Sequence, residues 1–199
     1  MYGGLARHPL NTADGFALVL CHEIGHHLGG KPLANNWASN EGQSDYFATS
    51  KCLRKYFSTQ DSAAVVSSML VPEKVQTQCF KSFGISSDHA ICIRNSLAGL
   101  TLSHVLDALA RSGGTFSWGK SEPPTTNYVK PDFTTPDPAI VKITDSRHPK
   151  AQCRLDTYFA GAICQIPSVV DFSYKEEKTG ACVNGLSARP ACWYASKGN

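Results

Sequence analysis

The chain is short of charge, of long apolar runs and of closely paired cysteines, and each shortage removes a class of protein. Charged residues make up 18% of the 199 residues and the formal net charge is +3. A dense basic stripe that tracks a phosphate backbone is therefore missing, and nucleic acid is not an expected partner. The longest clearly apolar run is Phe16 to Cys21, far short of the ~20 residues that cross a bilayer, so no membrane span is expected. The opening MYGGLARHPL has no basic stretch followed by an apolar one. No export signal is expected in it, and the abrupt start leaves room for a missing pro-segment or upstream domain. Sixteen Gly and eleven Pro are too few for a collagen-like or linker-like chain, whereas 42% hydrophobic residues suit a globular one. We find neither internal repeat nor low-complexity tract, and expect a single domain over 1–199.

Against these shortages stand eight cysteines, an even number with no CxxC pair among them. Zinc ribbons and thioredoxin-like motifs are thereby disfavoured, and a disulfide framework in a secreted or periplasmic protein is the better reading. Spacing does not give the connectivity, although Cys79 with Cys92 and Cys182 with Cys192 would close short local loops.

Along the chain, residues 1–11 read as extended, with Tyr2 to Arg7 a candidate edge strand for holding substrate backbone. A helix capped by Thr12 or Asp14 runs through FALVLCHEIGHHL to Gly29-Gly30. Its first half is apolar nearly all round, the mark of a buried helix. Ser39 or Asn40 caps a second helix, EGQSDYFATSKCLRKYF, with acids first and bases last as the helix dipole prefers. Further helices are expected near 61–82, interrupted at Pro72, and over 88–111. Five prolines between 119 and 138 mark a long loop, AIVKI at 139–143 reads as a short strand, and a last helix is expected over 150–163. The C-terminal part, 145–199, thus carries one helix and a Cys-rich tail.

His22-Glu23-Ile24-Gly25-His26 is an HExxH pattern inside the first long helix. Positions four apart return to one helical face, so both imidazoles reach one ion, while Glu23 stands one step round and serves as a general base without ligating. A catalytic zinc ion takes three protein ligands and keeps one open position. Glu41 and Asp45 share a face of the second helix. One carboxylate would ligate and the other would accept the proton of a ligating imidazole. The blander reading of these acids is a first turn suited to the helix dipole.

Taken together, HExxH followed by E-x-x-x-D resembles the gluzincin metallopeptidases, and NEGQSD over 40–45 resembles the NExxSD segment of thermolysin-like enzymes. His148-Pro149-Lys150-Ala151-Gln152-Cys153-Arg154 is similar to the HP-x4-R motif of the CAAX-prenyl-protease, HtpX and BepA type. The resemblance covers roughly 14–57 and 145–164. It departs from that type in a shorter loop between His26 and Glu41 and in having no membrane helix. It implies a fold that is mainly α within the α+β class: zincin-like, with an active-site helix, a glutamate helix and a small edge strand or sheet, stapled by disulfides. It implies zinc ligands His22, His26 and Glu41, with Glu23 as catalytic base and Asp45 orienting His22. His148 and Arg154 would face the substrate, a peptide or protein.

The function so implied is that of a zinc endopeptidase. The alternative is a latent or inactive zinc-binding interaction domain of an exported protein, although Glu23 is intact. A third reading is a disulfide-rich domain with an accidental HExxH. His8 and His89 have no partners suggested by spacing, His27 points about 100° away from His26 and suits packing or the surface, and His104 on an amphipathic stretch suits a satisfied core or surface histidine; Cys21 suits a disulfide or the core, and Trp193 and Tyr194 suit packing.

Overall fold

The computed structural model describes residues 3–112 and 128–196. The protein is mainly helical. Helices α1 (Gly3–Ala6), α2 (Ala13–Leu28) and α3 (Glu41–Phe47) come first, and a π-helical turn (Ala48–Cys52) joins α3 to α4 (Leu53–Phe57). There follow α5 (Ser62–Ser67), α6 (Glu73–Phe83), α7 (Ser87–Arg111), α8 (Ala151–Ala162) and a 3-10 turn (Gly185–Ser187). The expected helices over 41–57, 61–82, 88–111 and 150–163 all form, the second of them in two pieces, α5 and α6, with Pro72 capping α6.

Local chemistry accounts for the helix starts. The Gly15 N–H donates to Thr12 Oγ1 at 3.1 Å, and the Gln43 N–H donates to Asn40 Oδ1 at 2.9 Å, so Thr12 and Asn40 are the caps. Arg94 of α7 donates to both oxygens of Asp14, at 2.7 and 2.8 Å, and ties the longest helix to the first turn of α2. Three apolar clusters form the core. One joins α2, α4 and α7, another joins α6, α7 and α8, and a third seats α3 and α8 on the C-terminal tail through Phe172 and Ala181.

Three expectations are corrected. Of the candidate edge strand Tyr2 to Arg7, Tyr2 lies outside the described residues and 3–6 form a helix, because Leu5 turns onto the α2–α7 core and no strand among the described residues offers a ladder. Residues 139–143 form no strand: the Val141 N–H donates to Ala191 O and the Asp145 N–H to Trp193 O, two separate bonds that leave Ile140 and Ile143 exposed. The only β-pairing among the described residues is the single bridge between Leu33 and Ser39. Finally, α2 is not buried all round; one face is buried and Phe16, Leu20, Ile24 and Leu28 are exposed.

The cysteines close four bridges, Cys21–Cys52, Cys79–Cys92, Cys153–Cys192 and Cys164–Cys182. Cys79–Cys92 matches the sequence reading. Cys182 pairs with Cys164 rather than Cys192, because the tail doubles back along α8 and each cysteine meets one on that helix or just beyond it. No described helix is long and apolar enough to cross a membrane. Of the Pro-rich stretch 119–138, residues 128–138 are irregular and the remainder lies outside the described residues, as do Gly113-Gly114.

Candidate metal centre

The approach of α2 to α3 decides where the site lies. Gly25, inside HEIGH, faces Ser44: a Cβ there would meet Ser44 O at 2.8 Å and Ser44 Cα at 2.9 Å. Glycine in a helix interior costs about 1 kcal/mol relative to alanine, and here its missing side chain lets the two helices touch through their backbones. From behind, α3 is held forward by Trp193, against whose ring Gly42 lies directly. That indole N–H donates to Thr157 Oγ1 at 2.9 Å, and the adjacent Cys192 is bonded to Cys153.

This contact brings His22, His26 and Glu41 together, with one donor atom from each lying within 4.8 Å of the others. Glu41 Oε2 is 3.2 Å from His22 Nε2, and Glu41 Oε1 is 3.6 Å from His26 Nε2. Both rings are fixed from their far side. The backbone carbonyl of Ser39 only accepts, so His26 carries its proton on Nδ1 and donates it there at 2.9 Å, beside Ser44 Oγ at 3.0 Å. Asp45, fully buried, accepts from His22 Nδ1 at 2.7 Å. Both Nε2 atoms are thereby directed toward the Glu41 carboxylate.

The donor set fits a divalent cation. Ligands about 2.0–2.2 Å from a zinc ion in tetrahedral array stand roughly 3.3–3.6 Å apart, close to the spacings between Glu41 and the two imidazoles. Glu41 Oε2 is buried without a hydrogen bond of good geometry, although His22 Nε2 lies within reach. A cation held between Glu41 and the two imidazoles would give this oxygen a partner of good geometry. The three side chains can hold a metal ion.

Charges around the centre reinforce one another. Burial disfavours the ionised Asp45, but Arg154 and then His22 outweigh it and hold the carboxyl at about 2. Burial likewise disfavours protonated His22, yet the Asp45 charge and hydrogen bond raise it to about 8 in the metal-free chain. Glu41 also stays below its ordinary value, because contact with His22 and the cations beyond it overcome burial.

Among the remaining expected site residues, Glu23 is exposed on α2, about 100° round from His22. His148 is 75% exposed and its Nε2 lies 3.3 Å from Glu41 Oε2, on the open side. Arg154 is placed elsewhere than expected. It is buried behind Asp45, donating to Oδ2 from Nε at 2.8 Å and to Oδ1 from Nη2 at 2.6 Å. Its Nη2 also lies 3.3 Å from His22 Nδ1, so this buried arginine sits behind the centre, against Asp45 and His22, and not on the open side with His148. Ser39, Ser44 and Trp193 also shape the centre. Of the added contributors, Gly25 left a sequence signal as a glycine inside a helix pattern, and Ser44 as the serine of NEGQSD.

The blander histidines behave as such: His27 lies beside the Trp37 ring, and His104 Nε2 is 2.9 Å from Pro131 O. A cavity of about 920 Å³ opens between α6, α7 and residues 128–134, and none of its lining residues belongs to the metal cluster. No protein-family model matches the chain, and neither a curated protein nor a solved structure matches it.

Proposed function

We propose that the protein is an exported zinc endopeptidase of gluzincin type. The observation that carries this reading is the convergence of His22, His26 and Glu41, each imidazole held from behind, on the helix that presents Glu23 to solvent. A zinc ion held by these three side chains supplies Lewis-acid polarisation of the scissile carbonyl and activation of an attacking water.

The chain's own residues supply the rest. Glu23 accepts a proton from the attacking water on its carboxylate and then delivers it to the leaving amine nitrogen. His148, exposed beside Glu41, donates a hydrogen bond to the oxyanion that develops on the carbonyl oxygen. Asp45 keeps the proton of His22 on Nδ1, and Arg154 keeps Asp45 ionised and in place. Four disulfides suit an oxidising compartment, secreted or periplasmic.

The test is cleavage of a mixed quenched-peptide pool by zinc-loaded wild type beside Glu23→Gln, with metal content measured on both. Turnover lower by a factor of about 10²–10⁴ in the variant, at equal zinc, supports the peptidase and its base. Zinc in both with cleavage in neither points to a binding domain. Failure of either protein to take up zinc removes the metal centre altogether.

A further inference from the structure

The C-terminal tail and the segment leading to α8 enclose a pocket of about 660 Å³ that shares no residue with the metal cluster. Three cations line it, Lys142, Lys178 and Arg189, and no Asp or Glu does, although the chain carries 16 acidic residues. None of the three forms an ion pair among the described residues. For the two lysines that is ordinary, since both are exposed to water.

Arg189 differs from them, being only 7% exposed. Its Nη1 donates to Glu177 O at 2.9 Å and its Nη2 to Lys31 O at 3.2 Å, while Nε is buried without a partner. The ring centroids of Tyr194, Tyr46 and Phe172 stand 4.9, 5.8 and 5.9 Å from its guanidinium carbon. Carbonyls and ring faces answer some of its N–H groups, but none of them carries a full negative charge. Burial pulls its pKa below the ordinary value. A buried cation is ordinarily matched by an anion, and here Lys142 and Lys178 add to the positive field at the same place. The pocket has room for more than a simple ion, since one water takes about 30 Å³. Val141, Val183 and Ala191 give it an apolar wall.

We propose that this pocket binds a small organic anion, its carboxylate or phosphate head among Arg189, Lys142 and Lys178 and its apolar body against Val141 and Val183. The site is independent of the peptidase reading. Lys142 belongs to the segment that leads to His148, and Arg189 to the tail that carries Trp193. The Val141 N–H donates to Ala191 O and the Asp145 N–H to Trp193 O, which already joins the two segments. An anion held between Lys142 and Arg189 fastens them again, so its binding stabilises the folded chain.

The experiment titrates the full chain at low salt with N-acetylleucine, with its neutral amide and with phenyl phosphate, reading affinity by calorimetry and Tm by scanning. At least one of the two anions is expected to bind with Kd below about 1 mM. Its preference over the amide should be at least tenfold, and at ten times Kd it should raise Tm by roughly 3–6 °C. Whichever anion binds more tightly identifies the head as carboxylate or phosphate. Arg189 also holds two backbone carbonyls, so the test variant leaves it in place. Lys142→Glu combined with Lys178→Glu should lose at least tenfold in affinity with an unchanged circular dichroism spectrum. Lys81→Glu, exposed on α6 and outside the pocket, should match wild type. The titrations are repeated with added zinc and with a chelator, and equal affinity in the two keeps the anion away from the metal cluster. The proposal is overturned by binding of neither anion, by equal binding of the amide, by undiminished affinity in the double lysine variant, or by binding that requires zinc. Arg189 is then a packing residue held by its carbonyls and rings.

Discussion

Arg154 closes on both carboxylate oxygens of Asp45, and the same Asp45 Oδ1 that receives Arg154 Nη2 at 2.6 Å receives His22 Nδ1 at 2.7 Å. One buried oxygen thus couples helix α8 to His22, a candidate metal ligand on α2. Removing one member of a buried pair strands the other charge, at a cost of about 3–5 kcal/mol. Arg154→Ala is expected to lower unfolding stability by that order and zinc affinity by about 10–100-fold. Arg154→Lys should restore part of the stability but less of the affinity, since lysine lacks the two-pronged geometry. Urea titrations and competitive chelator titrations on the three proteins check this. Normal zinc affinity in Arg154→Ala would mean that Asp45 needs no partner to orient His22.

A second expectation concerns the helix contact. A methyl group at Gly25 meets backbone of α3, at Ser44 O and Cα, which a rotamer change cannot move aside. Gly25→Ala must separate α2 from α3, and its strain is expected to cost about 1–3 kcal/mol despite alanine's better helix propensity. The same shift withdraws Glu41 from both imidazoles, so zinc affinity should fall even under conditions where the fold is intact. Circular dichroism with metal analysis separates the two effects. A variant that is stable and fully metallated would show that the close approach is incidental.

The parts of this arrangement differ in how far local sequence encodes them. Thr12 and Asn40 are local caps and the His22–His26 spacing is local periodicity, so α2, the helix over 41–57 and the paired imidazoles were legible. The place of Arg154 was not, because its partner Asp45 lies 109 residues away and only packing brings them together. Exposure on α2 was misread for the same reason: apolar composition does not say which faces find partners. The tail has no periodicity at all, and its course follows from the bridges Cys153–Cys192 and Cys164–Cys182, whose connectivity spacing does not give.

Metal uptake should also release protons in a pH-dependent way. With its pKa raised to about 8 in the metal-free chain, His22 is largely protonated at pH 7 and must lose a proton to present Nε2 to a cation. Its share of the release is about 0.9 proton at pH 7 and declines toward zero as pH rises above 8. Correspondingly, the His22 contribution to the stability of the metal-free chain is fully present below pH 6.5 and is lost as pH rises through about 8. Asp45 has the opposite sign: its contribution is present above pH 3.8 and is lost as pH falls toward 2. Calorimetry of zinc binding in buffers of different ionisation enthalpy measures the first effect. Uptake without proton release at pH 7 would contradict the His22–Asp45 coupling.

The last prediction follows from the brace behind α3. Trp193 is fully buried, its ring against Gly42 and its indole N–H on Thr157, and it is tethered through Cys192 to Cys153 across a separation of 39 residues. Replacing both cysteines by alanine frees the tail in the unfolded chain and is expected to cost about 2–4 kcal/mol. Loss of Trp193 from its seat has a further consequence, because that ring holds the helix that carries Glu41. Trp193→Leu should therefore weaken zinc binding with all four bridges intact, whereas the double cysteine variant should weaken it only as far as the tail lifts away. Comparing zinc affinity, Tm and indole fluorescence of the two proteins tells the brace from the staple. If Trp193→Leu binds zinc as wild type does, the tail only stabilises the fold and has no part in placing Glu41.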